Sequence, residues 1–318
     1  MPRCRGAQAW TRASLSPSDW LVRLDPACLA ELRAVVAELR RAPVPTLLLS
    51  PDDFALAACA QTMRGVRHML DAGAGFALLD RLPMDELGKD EAIALYWLLA
   101  SLLARPVAQK LDGTMIYDVH DTGQKALPGS GIRPDKTNID LRFHNDNAYN
   151  TTPPEYVGLL CLRSARGGGL SRVMSFYTVH NALLERHANV VPRLYEPFPF
   201  DRQREFFAGE EPVFEAPMFA YDGALRVRLT LHQVRGGFAL RGNGIDEASA
   251  AALDALEEVF ADQSLQADFT LERGQMQFAN NHTTGHARTE FEDHAEPELR
   301  RHLVRIWMRD RGARGYPG

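Results

Sequence analysis

The sequence predicts an α+β protein in which helices come first and a strand-built core follows, a pattern that reads equally as a helix-flanked β-sandwich. Three observations carry this. Before Pro106 apolar residues recur at helical spacing. Beyond it the chain breaks into short apolar runs punctuated by Gly, Pro, Asn and Asp. No βαβ alternation, internal repeat or low-complexity linker disturbs that order.

Asp25 followed by Pro26 is an N-cap with proline at the first helical position, and Leu29, Leu32, Val35, Val36 and Leu39 continue at helical spacing to about Pro43. Ser50, Pro51, Asp52 and Asp53 repeat the start signal, so a second helix is expected from there to the glycines at 73 and 75. Residues 76–82, FALLDRL, read as a buried strand. Asp85 and Glu86 should open a third helix that ends at Arg105 and Pro106, because proline disfavours helix in the residue before it. Two further helical intervals are expected near 178–187 and 246–260, with strands elsewhere. Residues 1–24 form an N-terminal extension in this reading, and 25–318 a single domain.

Composition excludes more than it assigns. The chain of 318 residues, 45% hydrophobic and 24% charged, can bury a large core. Cys4, Cys28, Cys59 and Cys161 are scattered and form no Cys-x-x-Cys pair, so reduced thiols are expected. No apolar run reaches signal-peptide or membrane-span length, which points to a soluble, cytoplasmic protein without a membrane partner. A net charge of −5 argues against a nucleic-acid partner. A homo-oligomer stays open.

His144 and Asp146 stand two residues apart, so on a strand an imidazole and a carboxylate would share one face with Asn145 turned away. Chance alone supplies about one such pair in a chain of this composition, so the tripeptide by itself says little. A second pair, His294 with Glu296, lies in the charged run EFEDHAEPE and reads as a solvated loop. The surroundings of His144 differ: FHNDNAYNTTPPEYVGLLCLRSARGGGLS gives an apolar approach, a double-proline turn, a buried strand and glycines. Downstream, FANNHTTGHARTEFED precedes RRHLVRIWMRD.

These segments resemble the taurine dioxygenase and 2,4-dichlorophenoxyacetate dioxygenase family of Fe(II)/2-oxoglutarate-dependent oxygenases. The resemblance covers about residues 70–310. It implies a double-stranded β-helix (jelly-roll) core behind the N-terminal helices, with His144, Asp146 and His286 as iron ligands. His282 competes for the third place, since it shares a face with His286 if the segment is extended, but only His286 matches the family motif. His302 is expected near the site or in the core. Arg301 matches the position that grips the distal carboxylate of 2-oxoglutarate, a task suited to a permanently charged planar fork. Ser171, where the family has threonine, would supply its partner hydroxyl. The stretch between His286 and Arg301 is longer and more acidic than the family pattern.

Period-two alternation puts Arg301, Leu303, Arg305 and Trp307 on one strand face. Two inward arginines need two anions. For Arg305 the second anion is either the substrate's own or a structural salt bridge. Arg288, two residues beyond His286, would steady the co-substrate's iron-bound carboxylate. The cofactors implied are Fe(II), 2-oxoglutarate and O2, with succinate and carbon dioxide released as an unactivated C–H of a small anionic or amino-acid-like substrate is hydroxylated. Desaturation or ring closure by the same chemistry, and a jelly-roll binding module without activity, are the alternatives. The carboxylate of Asp146 excludes halogenation, which needs a small residue there. Segments of about 118–140 and 190–225, rich in turn formers, are expected as loops that act as lids.

Overall fold

The structure is a computed structural model that describes residues 2–124 and 134–317. Asp25 caps α1 (Pro26–Arg41) by accepting from the Cys28 amide, as its sequence position requires. The second start signal does not open a long helix. Ser50 to Asp53 close a 3-10 turn instead, and α2 (Ala57–Asp71) begins later. Its cap comes from another helix: the Glu31 carboxylate on α1 accepts from the Ala58 and Cys59 amides, both at 2.9 Å. Likewise α3 (Lys89–Leu103) begins after Asp85 and Glu86, where the Gly88 amide donates to Glu91 Oε2. The later helices are α4 (Phe176–Arg186), the short α5 (Val191–Leu194), α6 (Leu231–Arg241) and α7 (Glu247–Ala261).

The seven-stranded sheet runs β1 (Leu21–Arg23), β2 (Phe76–Asp80), β14 (Met276–Asn280), β6 (Tyr156–Arg163), β17 (His302–Arg309), β3 (Arg105–Val107), with β4 (Tyr117–Val119) also on β17. Only the β1–β2 pair is parallel. A four-stranded antiparallel sheet runs β13 (Gln266–Phe269), β8 (Ser171–Ser175), β15 (Thr284–Arg288), β5 (Leu141–His144). Three ribbons complete the fold: β7 (Gly167–Gly168) with β16 (Phe291–Glu292), β9 (Pro197–Asp201) with β10 (Val213–Pro217), and β11 (Phe219–Tyr221) with β12 (Leu225–Val227).

Alternation along β17 divides its labour. Val304, Ile306 and Met308 join Leu32, Met63, Leu95 and Phe278 in the core beneath α1–α3. Leu303 faces the other way and packs with Phe76, Cys161, Val173 and Phe269, a cluster drawn from both sheets. A third cluster holds Phe176, Phe198, Phe219 and Leu256 between α4, α7 and the ribbons. Residues 1–24 are part of this fabric: β1 edges the large sheet, and buried Trp10 donates its indole N–H to the Ala74 carbonyl at 2.7 Å.

The segment 190–225, expected as loop, is ordered into α5 and ribbons. Prolines 197 and 199 hid β9, which is tolerated because a two-stranded ribbon leaves one side of the strand unpaired. Of the segment 118–140, residues 125–133 lie outside the described residues.

Candidate active site

β5 and β15 are neighbours, and His144 stands directly opposite His286. Their rings are 4.3 Å apart. The Nε2 atoms lie 3.4 and 3.5 Å from Asp146 Oδ1, and one ligand atom from each of the three residues falls within 4.8 Å of the others. His144 Nδ1 is 2.8 Å from the Arg142 carbonyl, which can only accept, so Nδ1 carries the hydrogen and Nε2 offers its lone pair.

Asp146 is not placed by a strand, as its spacing from His144 suggested, because β5 ends at His144. An amide clamp holds it instead. Buried Asn145 donates to the Val227 and Asn281 carbonyls and accepts from the Leu229 amide. Asn281 in turn accepts from the Asp146 amide and donates to the Asp146 carbonyl. On the carboxylate, Oδ2 receives the Trp307 indole N–H at 2.6 Å and faces Arg305 Nη1 at 3.2 Å. Burial alone would raise the pKa of this group. The Arg305 charge and the two histidines outweigh it and hold the carboxyl well below its ordinary range. Burial also depresses the His286 imidazole. The result is an ionised carboxylate beside two imidazoles, a donor set that suits a divalent transition metal, and among the described residues no other such cluster is found.

His282 sits in the turn before β15 and lines a different cavity of about 450 Å³ with Asp71 and Glu155. His302 pairs with Asp118 and Arg163. Neither joins the cluster.

A cavity of about 50 Å³ adjoins the two clustered histidines, lined by His144, Ser171, His286, Arg288, Arg301 and Arg305. Arg301 is 5% exposed, and its Nη1 has no hydrogen-bond partner. Burial pushes its guanidinium down to about 10, so it remains charged at neutral pH. The long acidic stretch before it closes as a turn in which Asp293 accepts from the Arg301 amide. Ser171 stands opposite Arg288 in the β8–β15 register. Arg288, also pushed down to about 10 by burial, donates to the Thr137 and Ile139 carbonyls and so ties that segment to β15.

A larger cavity of about 300 Å³ opens on the other side of Asp146 and Arg305. Asp135, Ile139, Asp140 and Gln203 reach it from the two expected lid segments. Thr230, Leu231, His232 and Gln233, at the start of α6, line it as well. This contribution was missed because Gly236 and Gly237 argue against a helix. They permit close packing instead: a Cβ on Gly237 would lie 2.3 Å from the Pro199 carbonyl oxygen. Arg305 lines both cavities, and the chain itself supplies its counter-charges, Asp146 and, at 3.3 Å, Asp135 Oδ2. Gln109 accepts from its Nε at 2.8 Å. Of the two anions open to Arg305, the structure contains the salt bridge.

The chain is 27% identical to FR-33289 synthase of Streptomyces rubellomurinus over 98% of its own length and 92% of that protein's. It is 26% identical to the taurine hydroxylase-like protein SAT17 of Stachybotrys chartarum, covering 92% and 76% of the two chains. Among solved structures it resembles asparagine oxygenase in complex with Fe(II), 2S,3S-3-hydroxyasparagine and succinate, with a TM-score of 0.68, 22% identity and coverage of 93% and 98%. The non-heme iron oxygenase OrfP in complex with Fe and alpha-ketoglutaric acid superposes with a TM-score of 0.65 at 16% identity, over 92% and 94% of the chains. The family profile described as "Taurine catabolism dioxygenase TauD, TfdA family" matches residues 44–307, a span that takes in β5, β15 and most of β17, and the chain belongs to that family.

Proposed function

We propose that the protein is an Fe(II)- and 2-oxoglutarate-dependent dioxygenase that hydroxylates a small, amino-acid-like substrate, releasing succinate and carbon dioxide. The observation that carries the reading is the buried, partnerless Nη1 of Arg301, which shares a small cavity with His144 and His286. A fixed cation there lacks only a carboxylate.

His144, Asp146 and His286 would hold the iron on one side, leaving positions open for small ligands. Iron bound there supplies oxygen activation coupled to decarboxylation of the keto acid. The chain's own residues do the rest. Arg301 and Ser171 receive the distal carboxylate of 2-oxoglutarate, and Arg288 stands beside its other end. Trp307 and Arg305 orient the Asp146 carboxylate. Arg305 also faces the substrate across the larger cavity. We place residues 25–318 in one oxygenase domain with a double-stranded β-helix core, its lids drawn from 118–140 and 190–225, working in the cytoplasm. No helix among the described residues is long and apolar enough to cross a membrane.

The test is direct. Anaerobic protein loaded with iron(II) should develop a weak visible charge-transfer band on addition of 2-oxoglutarate, and succinate should form once oxygen and substrate are supplied. Properly loaded protein that shows no band would remove the reading.

A further inference from the structure

The two cavities differ in what they lack. In the smaller one Arg301 Nη1, a donor, and Gln277 Oε1, an acceptor, stand without partners, and Asp135 lines its wall as well as that of the larger one. In the larger one, two buried acceptors stand without donors, Asp135 Oδ1 and Gln233 Oε1. Asp135 is 8% exposed, and its other oxygen is already spent on Arg305. That guanidinium is shared with Asp146, so two carboxylates face one cation across this wall. Asp140 adds a third acid at the exposed mouth, where Arg142 pairs with Glu257.

A desolvated carboxylate oxygen with no donor is costly unless a ligand brings one. The sequence expectation of an anion at Arg305 is therefore inverted at this wall. Building on the oxygenase reading above, we propose that Asp135 is a specificity-determining residue that receives a cationic nitrogen, a primary ammonium of the substrate, with Gln233 Oε1 as its second acceptor. Among the described residues, the one buried donor lining this cavity without a partner, Asn147 Nδ2, would take an oxygen of the same molecule. The substrate class is thus a small amine that also carries an acceptor oxygen.

The experiment uses iron-loaded protein with 2-oxoglutarate under anaerobic conditions, where the charge-transfer band reports an assembled site. The twenty standard L-amino acids and taurine are titrated in, each against its des-amino counterpart, with perturbation of the band and protein fluorescence as the readout. Wild type should bind at least one amino compound more tightly than its des-amino partner. Asp135→Asn, which keeps the size and loses the charge, should cut that preference about 10- to 100-fold while the band persists. Wild type without any such preference, including no binding at all, overturns the proposal, as does an Asp135→Asn protein that keeps the full preference. If Asp135→Asn fails to assemble the site, Asp135→Glu must retain a measurable preference, and its loss in that protein overturns the proposal too. Absence of the band in wild type is a separate result, and it removes the oxygenase reading instead.

Discussion

Trp307 holds the outer oxygen of Asp146 by a bond of 2.6 Å, so it fixes the orientation of a carboxylate that iron would share. Removing such support typically costs about 10- to 100-fold in metal affinity, and Trp307→Phe should lose iron by that factor in a competitive chelator titration. Arg301→Ala should raise the 2-oxoglutarate dissociation constant roughly 30-fold to several thousand-fold, since it removes one partner of a buried charge pair. His282 bears on stability rather than chemistry. Burial, reinforced by Arg226 and Arg228, lowers its pKa from 6.5 to about 4. The unfolded chain therefore takes up a proton across that window and the folded chain does not, so stability present above pH 6.5 is lost as pH falls toward 4. Denaturant melts of His282→Gln should show a shallower acid decline than wild type. At this scale the three proposed ligands were legible, because their neighbours carry a family pattern. Asp135 was not: an acid in a Gly- and Pro-rich run looks solvated, and its burial comes from Arg305 on a distant strand.

Helix boundaries show where local signals stop. Asp52 and Asp53 look like the cap of α2, yet Glu31 on α1 caps it, and a cap donated across a helix pair leaves no trace in the helix it serves. Glu31→Ala should cost about 1–2 kcal/mol and lower the melting temperature without moving 2-oxoglutarate affinity. The same limit hid α6, where Gly237 is a packing requirement rather than a breaker. Gly237→Ala must push the helix off β9 and should destabilise by about 1–3 kcal/mol. Because the first turn of α6 lines the larger cavity, substrate affinity should fall more than co-substrate affinity. Equal losses of the two would argue against that cavity as the substrate's.

Across the whole molecule, periodicity made the three helices before Pro106 and, of the four described after it, α4 and α7 readable, but the structure is a mixed α/β fold rather than helices followed by strands. The sheet neighbours were not readable, since β2 pairs with β14 from the far end of the sequence. Nor was the place of residues 1–24, whose Trp10 is 4% exposed. Trp10→Ala should cost about 3–5 kcal/mol, a loss that chemical denaturation would detect at once.

One consequence concerns motion. β5 is an edge strand: its ladder to β15 is broken by a register shift, and its other side has a single bridge, His144 to Thr230. It is the least fastened strand of the four-stranded sheet, and it carries a proposed ligand. A metal spanning His144 and His286 would then act as a cross-link between strands, suppressing local opening. Amide hydrogen exchange should be fast along residues 141–144 in metal-free protein and slow on adding iron, while amides of β6 stay protected throughout. Iron-independent exchange in β5 would mean that the strand is already locked, and that the ion enters a finished site rather than completing one.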